Sequence, residues 1–464
     1  MDHAPQIDRE PPSLARALEA LACGLILFML SNALIGPLLD PTQAGGEDMP
    51  VLRLMWLPVY GLILALAAWR APRILRFWFP AALLGLLIFW VFASASWSFE
   101  PSTTNRRAVA VAFTTLFGLY FAASFDGRRM AEIIASTFLV LAIGGALAAV
   151  AYPTMGVQHD INAGDWRGLW FEKNQMGAMM VYGALGAVAA LLAGSPRRKT
   201  WIFTILLCAA MIVMSRSKTS LLCLMIVLGG AAMLAILRKG PATAVATIWL
   251  GVTAALAAGA TFWLAPEAVF RALGKDPTLT GRTEIWEALL RQSQKAPLTG
   301  FGYAVFWRDD SVPAAFVRHD TGWNVPTAHN GWLDTLVQLG WVGVILVATI
   351  LGLAVLTALF RFRTVRDGYW APLFLVIFLI VTLSESFILE RNGIAWALCC
   401  AAVARMLGPV LGLQPAAARA PLPAPAPLEW RLAPVEPVEY WTATTSFGRR
   451  TVSPFGSRTA TGTA

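Results

Sequence analysis

Charged residues are scarce in this chain of 464 residues. Only 14% of the residues are Asp, Glu, Lys or Arg, whereas 57% are hydrophobic, and the mean hydropathy is +0.62. A soluble globular domain carries about 25% charged residues, so this chain has too little polar surface for one. The composition therefore predicts a polytopic membrane protein.

Cysteine and histidine are also scarce, which argues against a metal site. The five cysteines fall in apolar segments, where thiols behave as small hydrophobic groups, so we expect neither disulfides nor a cysteine metal site. His319 and His329 lack the i, i+3 or i, i+4 spacing that places two ligands on one helix face. The adjacent Asp309 and Asp310 are typical of a solvated loop face. We predict no metal and no cofactor.

Long apolar runs fill most of the chain. A membrane-spanning helix needs roughly 20 mostly apolar residues. About twelve segments meet this requirement, so the predicted fold class is an all-α polytopic membrane protein. The predicted spans are 18–36, 54–69, 78–97, 106–124, 131–151, 176–194, 200–215, 219–237, 242–264, 329–358, 370–388 and 393–411.

The distribution of Lys and Arg predicts the orientation of these spans. Basic residues collect in five alternate short loops, which we assign to the cytoplasm: Arg70, Arg73, Arg76; Arg128, Arg129; Arg197, Arg198, Lys199; Arg238, Lys239; Arg361, Arg363, Arg366. Both termini then lie inside, and the loops 152–175 and 265–328 lie outside. The net charge of +9 follows from this topology, so no nucleic-acid partner is needed to explain it.

The predicted organisation has five parts. A cytoplasmic N-terminus (1–17) precedes the first nine spans (18–264), and a long outer loop (265–328) precedes the last three (329–412). The first span lacks a clear cleavage site for a signal peptide, so we expect it to be retained. The Pro- and Ala-rich tail (413–464) has few large apolar residues, which predicts a disordered cytoplasmic extension.

Several cations fall on the predicted outer side and need an explanation. Arg167 is near Asp165, Lys173 follows Glu172, and Arg391 follows Glu390, so each of these cations has a candidate ion-pair partner. Arg216 and Lys218 differ, because they lie in a very tight turn between two predicted spans, and we expect no acidic residue nearby. Two uncompensated cations at a bilayer edge indicate an anionic ligand such as a phosphate, whose oxygens match the donors of Arg.

His329 stands at the junction of the long outer loop and the tenth span. One interpretation is a hydrogen-bonded interfacial residue. Pro326 and Thr327 precede it and an apolar run follows, which predicts that His329 and Asn330 form the first helical turn, with Thr327 as a candidate N-cap. A helix N-terminus disfavours the imidazolium form. A neutral ring at this position is suited to accept a proton as a general base.

The long loop carries one amphipathic pattern, near residues 282–295. Ile285, Trp286, Leu289 and Leu290 form an apolar stripe opposite a polar one. This pattern predicts a helix that lies along the membrane surface.

The motifs of this region resemble a known family. GRTEIW (281–286), PLTGFGYAVFW (297–307) and HNGWLDTLVQLGWVGVIL (329–346) resemble the signature region of the O-antigen ligase and Wzy-type polysaccharide polymerase superfamily. WRGLWFEKNQMG (166–177) and SRSKTS (215–220) resemble two further motifs of that superfamily, in the same order. The resemblance covers about residues 80–412 and is closest to the exopolysaccharide-polymerising members.

The resemblance implies a function at the periplasmic face of the bacterial inner membrane. Its members have a GT-C-like fold and catalyse inverting, metal-independent glycosyl transfer. The donor is an oligosaccharide linked to polyprenyl diphosphate, and the acceptor is a glycan hydroxyl in a polymerase or lipid A-core in an O-antigen ligase. A chain-length regulator and a flippase are further implied partners.

The resemblance also implies roles for individual residues. Arg216 and Arg282 match the phosphate-facing arginines, and His329 matches the proposed base. Asn330 is expected to orient the acceptor or the imidazole. The other expected substrate-binding residues are Arg167, Lys173, Asn174 and Lys218, together with Gly300 and Gly302, whose tight turn would fold the loop over the site. Five loop aromatics are candidates to stack on sugars or simply to lie at the membrane interface: Trp286, Tyr303, Trp307, Trp323 and Trp332.

Two other classes of function compete with this assignment. A transporter usually carries ionisable residues near the middle of the membrane, and the predicted spans are nearly free of them. Arg405 and Glu385 lie close to predicted span ends. An inactive scaffold subunit of a polysaccharide assembly is the second alternative, and the sequence does not exclude it.

Overall fold

The computed structural model describes residues 14–35, 37, 50–159, 162–237, 239–264, 282–361 and 370–409. The predicted tail (413–464), most of the predicted N-terminus and the first part of the long loop, up to residue 281, lie outside the described residues.

Helices make up almost all regular structure in the described part of the chain. The fourteen helices of ten or more residues are α1 (Leu14–Leu30), α2 (Pro50–Trp69), α3 (Trp78–Ala93), α4 (Pro101–Ser124), α5 (Gly127–Ala151), α6 (Lys173–Leu192), α7 (Arg198–Met214), α8 (Lys218–Leu237), α9 (Pro241–Leu264), α10 (Arg282–Ser293), α11 (Val312–Thr321), α12 (Gly331–Arg361), α13 (Trp370–Val381) and α14 (Ile394–Leu407). The described residues include no strand, and a single bridge joins Val157 to Trp166.

A helix lies in each of the twelve predicted spans, although their lengths differ. Among the described residues, six helical segments are long and apolar enough to cross a membrane: Ala71–Ser96, Pro101–Ser124, Gly127–Ala151, Lys173–Leu192, Lys218–Ile236 and Gly331–Phe360. Three shorter apolar helical segments are Leu54–Trp69, Trp370–Val381 and Ile394–Leu407. The protein is thus an all-α membrane protein, and the number of twelve spans stays a prediction.

Small residues allow the central helices to pack closely. A Cβ on Gly118 of α4 would lie 2.5 Å from the carbonyl oxygen of Ala397 on α14, and one on Gly183 of α6 would lie 2.7 Å from Cβ of Phe138 on α5. Van der Waals packing at small residues is a main source of association between helices in lipid. These contacts bring α4, α5, α6 and α14 together in the buried centre of the bundle.

A buried carboxylate joins α1, α4 and the residue that follows α2. The Glu19 side chain on α1 is fully buried and receives two hydrogen bonds from Arg70, at 2.8 and 2.6 Å. Arg16 and the Tyr120 hydroxyl of α4 donate to the same carboxylate, both at 2.9 Å. Because these donors offset the loss of water around a buried charge, the network fixes α1 and α4 relative to the residue that follows α2.

We expect Arg70→Ala to destabilise the folded protein strongly. The substitution leaves Glu19 buried without its bidentate partner, and breaking a buried ion pair in this way costs about 3 to 5 kcal/mol. Thermal unfolding of the purified protein in detergent should show the loss. Arg291→Ala is the matched control, since it removes an Arg from an exposed ion pair with Asp320. An equal decrease in unfolding temperature for both variants would contradict this role of Glu19.

The long helix α12 is broken at Gly340, and the outer loop repairs the break. Gly340 has φ +65° and ψ −170°, which no right-handed helix accommodates. On one side of the break, the carbonyls of Val337 and Gln338 accept from the amides of Phe301 and Gly302, at 2.9 and 3.0 Å. On the other side, the amides of Trp341 and Val342 donate to the carbonyls of Pro297 and Leu298. The segment 297–302 therefore satisfies the backbone groups that the broken helix exposes.

Glycines make this backbone contact possible. A Cβ on Gly340 would lie 2.2 Å from the backbone of Leu298, and one on Gly300 would lie 2.4 Å from the backbone of Gln338. Gly302, with φ +104°, packs against Ser98 in the same way. Gly300 and Gly302 do form a turn with positive φ, and its observed partner is helix α12. The segment 297–302 and the part of α12 around Gly340 are thus in direct backbone contact.

The outer loop has a hydrophobic core of its own. Its buried residues come from α10, α11, the start of α12 and the connections between them: Ile285, Ala288, Leu289, Phe306, Ala314, Val317, Val325, Ala328 and Val337. The predicted loop helix is confirmed as α10, but its apolar stripe packs into this core rather than only along a membrane surface. The loop is consequently a folded unit that can hold side chains in place.

We expect Gly300→Ala to disrupt the contact between the loop and α12. The new Cβ would overlap the Gln338 backbone, and overpacking of this kind costs about 1 to 3 kcal/mol in addition to the strain of a positive φ. Gly322→Ala is the control, because Gly322 also has positive φ but has no atom within 4 Å of the added Cβ. Thermal unfolding should show a larger loss for Gly300→Ala. Equal losses would mean that strain alone matters and that the close approach does not.

Candidate functional site

The first group of predicted site residues surrounds Asp165. Lys173, the first residue of α6, places Nζ 2.7 Å from Asp165 Oδ2, and Arg216 places Nη1 3.3 Å from Asp165 Oδ1. The prediction that Arg216 has no acidic residue nearby is therefore wrong, since Asp165 reaches it from another loop. Lys173 contacts Asp165 and not its predicted partner Glu172. We call Asp165, Lys173 and Arg216 the Asp165 cluster.

The turn that carries Arg216 is fixed by serine hydroxyls. Ser215 donates to the carbonyl of Ile212, and the amide of Ser217 donates to the Ser215 hydroxyl. Arg216 lies between them with φ +49°, so its side chain leaves the turn and is 73% exposed. A Cβ on Gly177 would lie 2.4 Å from Ser220 Oγ, so α6 and α8 begin side by side. The positive ends of two helix dipoles therefore meet near the exposed guanidinium.

The other residues predicted for this side differ in position. Asn174 and Lys218 are exposed near the first turns of α6 and α8. Arg167 instead holds its own loop together: Nε donates to the carbonyl of Met155 at 2.8 Å, and Nη2 donates to that of Thr154 at 3.2 Å. The predicted Arg167–Asp165 pair is replaced by these backbone contacts. This geometry favours a structural role for Arg167.

The second group of predicted site residues surrounds Glu385. Arg282, the first residue of α10, donates from Nη1 to the carbonyl of Ser384 at 2.8 Å and places Nη2 3.7 Å from Glu385 Oε1. His329 places Nδ1 3.8 Å from Glu385 Oε2. Glu385 thus lies between the predicted base and one of the two predicted phosphate-facing arginines. We call Arg282, His329 and Glu385 the Glu385 cluster.

The segment around Glu385 is non-helical because α13 ends early. The helix stops at Val381, seven residues before the predicted end of its span, and turns occupy residues 382–393. The carbonyl of Thr382 accepts from the amide of Gly331 at 2.8 Å, and the Thr327 hydroxyl donates to Ser386 at 2.8 Å. These bonds attach the segment to both sides of His329 and so place Glu385 beside the imidazole.

His329 and Asn330 lie before the helix and not in its first turn. The Asn330 carboxamide oxygen accepts from the amides of Trp332 and Leu333, at 3.0 and 3.2 Å, so Asn330 is the N-cap of α12. Thr327, the predicted cap, bonds to Ser386 instead. His329 has φ +47°, and its Nδ1 is buried with no hydrogen-bond partner among the described residues. The cap thus uses the Asn330 oxygen that we expected to orient the acceptor or the imidazole.

A second carboxyl group in the same segment has different properties. Burial, together with the nearby Glu385 carboxylate, raises the pKa of Glu390 to about 8. Glu390 is therefore mostly protonated at pH 7. Of these two glutamates, only Glu385, which is 28% exposed, faces the cationic site residues.

The two clusters lie near the ends of two helices that contact each other. The rings of Tyr182 on α6 and Phe374 on α13 are 5.5 Å apart. From that contact, Lys173 lies nine residues toward one end of α6, about 14 Å, and Val381 lies seven residues toward the end of α13, about 11 Å. The start of α6 and the end of α13 are therefore at similar distances along their helices from this ring contact. Ion pairs join the members of each cluster, and among the described residues no ion pair joins one cluster to the other.

Most of the loop aromatics have structural contacts. Trp286 Nε1 donates to the carbonyl of Ala328, Trp307 Nε1 donates to Asp334, and the Tyr303 hydroxyl donates to the carbonyl of Leu389. Trp332 packs against the main core, whereas Trp323 is 47% exposed. Of the five candidates for sugar stacking, Trp323 is the most accessible.

Asp309 and Asp310 pair with arginines of the outer loop. Arg308 donates to both carboxylate oxygens of Asp310 at 2.8 Å, which lowers the pKa of Asp310, and Arg318 lies 3.8 Å from Asp309. Across the described residues, no three Asp, Glu, His or Cys side chains are grouped as a metal site would require. The expectation that no metal takes part stays a prediction.

Sequence reasoning missed the two acidic residues at the cluster centres. Asp165 was assigned to Arg167, and Glu385 was noted only as an ionisable residue near a span end. A signal for Glu385 exists in the sequence, since Glu385 and its flanking serines interrupt the end of a very apolar segment. No comparable signal links Asp165 to Arg216, which is 51 positions further along the chain.

Comparison with known proteins gives two similarities. The O-antigen ligase family matches residues 203–348, a range that contains Arg216, Arg282 and His329. The chain is also 26% identical, over 319 residues, to the exopolysaccharide production protein ExoQ of Rhizobium meliloti (strain 1021). The aligned region covers 64% of this chain and 69% of ExoQ. The resemblance to the O-antigen ligase and Wzy-type superfamily is thereby confirmed, and a membrane ligase-like or polymerase-like function is supported.

Proposed function

We propose that this relative of the O-antigen ligases is an inner-membrane glycosyltransferase that polymerises an exopolysaccharide at the periplasmic face. The donor would be an oligosaccharide on polyprenyl diphosphate, and the acceptor a hydroxyl of another glycan chain. The observation that carries the proposal is the placement of His329 and Arg282 around Glu385, with Arg216 and Lys173 around Asp165 as a second group of cations. A base and a group of cations are what transfer from a diphosphate requires.

The cations would stabilise the leaving group. When the acceptor oxygen attacks the anomeric carbon, the bond between that carbon and the diphosphate oxygen breaks, and negative charge grows on the diphosphate. Arg216, Arg282 and Lys173 present donors for phosphate oxygens, and each charge-assisted hydrogen bond contributes about 1.5 to 3 kcal/mol. With this stabilisation by side chains, the proposed transfer needs no metal ion, and direct attack inverts the anomeric centre.

His329 would take the proton of the acceptor hydroxyl. Its Nδ1 faces Glu385, which leaves Nε2 for the acceptor. The separation of 3.8 Å is too long for a hydrogen bond, but such contacts often shorten when substrate binds. The negative Glu385 would then hold the ring orientation and stabilise the imidazolium that forms. This arrangement opposes the effect of the helix N-terminus, which disfavours the charged ring.

A specific observation favours polymerisation over ligation to lipid A-core. The similar curated protein is described as an exopolysaccharide production protein, and the similarity extends over most of both chains. The family match alone would fit a ligase equally well. The two activities differ in the acceptor, so the polysaccharide lost from a deletion strain distinguishes them: secreted polymer for the proposed function, and O-antigen on lipopolysaccharide for a ligase.

We expect His329→Ala to lower the transfer rate by about 10² to 10⁴, because the acceptor loses its base. The measurement is polymer formation by the purified protein in nanodiscs, with a polyprenyl-diphosphate oligosaccharide and EDTA in the assay. His319→Ala is the control, since His319 is an exposed histidine of the same loop and lies 3.6 Å from Asp320, away from the Glu385 cluster. Polymer made at the normal rate by His329→Ala would refute the assignment of the base. Activity that appears only when a divalent metal replaces EDTA would refute the metal-independent mechanism.

We expect Glu385→Gln to lower the rate by about tenfold or more at pH 7, while Glu385→Asp retains part of the activity. Glutamine keeps the shape of the side chain but removes the charge that would stabilise the imidazolium. Glu390→Gln is a matched control in the same segment, because Glu390 is already mostly neutral at pH 7. Full activity in Glu385→Gln, or an equal loss in Glu390→Gln, would exclude a specific role for the Glu385 charge.

A further inference from the structure

Asp165 is an acidic residue in a group of cations that would otherwise attract an anion. Its side chain is only 6% exposed, whereas that of Arg216 is 73% exposed. The carboxylate divides its oxygens between two partners, with Oδ2 at Lys173 and Oδ1 at Arg216. One negative charge thus partly neutralises two cations, one from the start of α6 and one from the turn before α8.

The position of Asp165 is fixed by the backbone of its loop. Its amide donates to the carbonyl of Asn162 at 3.1 Å, and its carbonyl accepts from the amide of Gln158 at 2.9 Å. The amide of the next residue, Trp166, donates to the carbonyl of Met214 at the end of α7, at 3.1 Å. A carboxylate held in this way stays beside Arg216 when a ligand arrives. It therefore acts on that ligand as a permanent neighbouring charge.

This arrangement matters most for the release of product. Transfer converts a diphosphate diester into a diphosphate monoester, which can carry one more negative charge. Lys173 and Arg216 without a counter-ion would bind this product more tightly than the donor, and turnover would then be limited by release. An acid within a few ångströms weakens the binding of both species, and it weakens that of the more highly charged product most.

We propose that Asp165 is the built-in counter-ion of the diphosphate site and sets its affinity low enough for polyprenyl diphosphate to leave. This inference rests on the proposed function for the identity of the ligand. A purely structural Asp165, which only orders Lys173 and Arg216, has the opposite consequence. Its removal would disorder both cations and weaken the binding of an anion. The sign of the change in affinity therefore separates the two roles.

The test measures binding of inorganic pyrophosphate by calorimetry to the full chain in nanodiscs of a neutral lipid. We expect Asp165→Asn to bind pyrophosphate about tenfold more tightly than the wild type, because a like charge near the ligand is removed. The difference should shrink in about 1 M salt, where charges are screened over roughly 3 Å. Asp320→Asn is the control, because Asp320 pairs with an arginine in the outer loop. Equal or weaker binding by Asp165→Asn would overturn the proposal.

Asp165→Asn leaves Lys173 without its ion-pair partner, and this variant could fail to fold for that reason. A second pair of variants, which removes the Lys173 charge, tests the proposal in that case. Lys173→Met should bind pyrophosphate more weakly than the wild type, and Lys173→Met with Asp165→Asn should regain about tenfold. Failure to regain affinity would overturn the proposal, as would a wild type that binds no pyrophosphate. Absence of glycan transfer by any form of the protein would refute the proposed function instead. In that event the order of pyrophosphate affinities still decides whether Asp165 is a counter-ion.

Discussion

The exchange of backbone hydrogen bonds at the Gly340 break is the constraint on which the Glu385 cluster depends. A broken helix at a membrane edge exposes amides and carbonyls that lipid cannot satisfy. Here the segment 297–302 supplies partners on both sides of the break. The part of α12 that precedes Gly340 is thereby bonded to the folded outer loop. His329 lies just before this part of the helix. Without this docking, neither His329 nor the segment bonded to Gly331 would have a defined position.

Both clusters use the same design, in which a buried or half-buried acid joins cations from separate elements. Asp165 connects the start of α6 to the turn before α8, and Glu385 connects the start of α10 to His329, two residues before α12. The Glu19 network differs, because its carboxylate receives hydrogen bonds from two arginines and a tyrosine and is fully buried. Glu19 is therefore saturated and suited to stability. Asp165 and Glu385 leave their partners partly exposed, which suits ligand binding.

The sequence predicted the parts of this structure that depend on local patterns. Apolar runs located a helix in every predicted span, and amphipathic spacing located α10, because hydrophobic periodicity reflects burial directly. Arg216 was found as a cation on the predicted outer side and His329 as a histidine at the junction of a loop and a span, whereas Arg282 was assigned through the family resemblance. Contacts between distant segments could not be predicted in this way. Asp165 and Arg216 meet where the amide of Trp166 bonds to the end of α7, and Asn330 caps α12 while Thr327 bonds to Ser386.

The early end of α13 connects these observations to the proposed chemistry. A helix continued to residue 388 would engage the carbonyls of Thr382 and Ser384 in its own hydrogen bonds. Ending at Val381 frees the carbonyls of Thr382 and Ser384 for Gly331 and Arg282. Those two bonds place the carboxylate between the guanidinium and the imidazole. The loss of a helical turn in an apolar segment is thus compensated locally, by the same residues that the proposed transfer reaction uses.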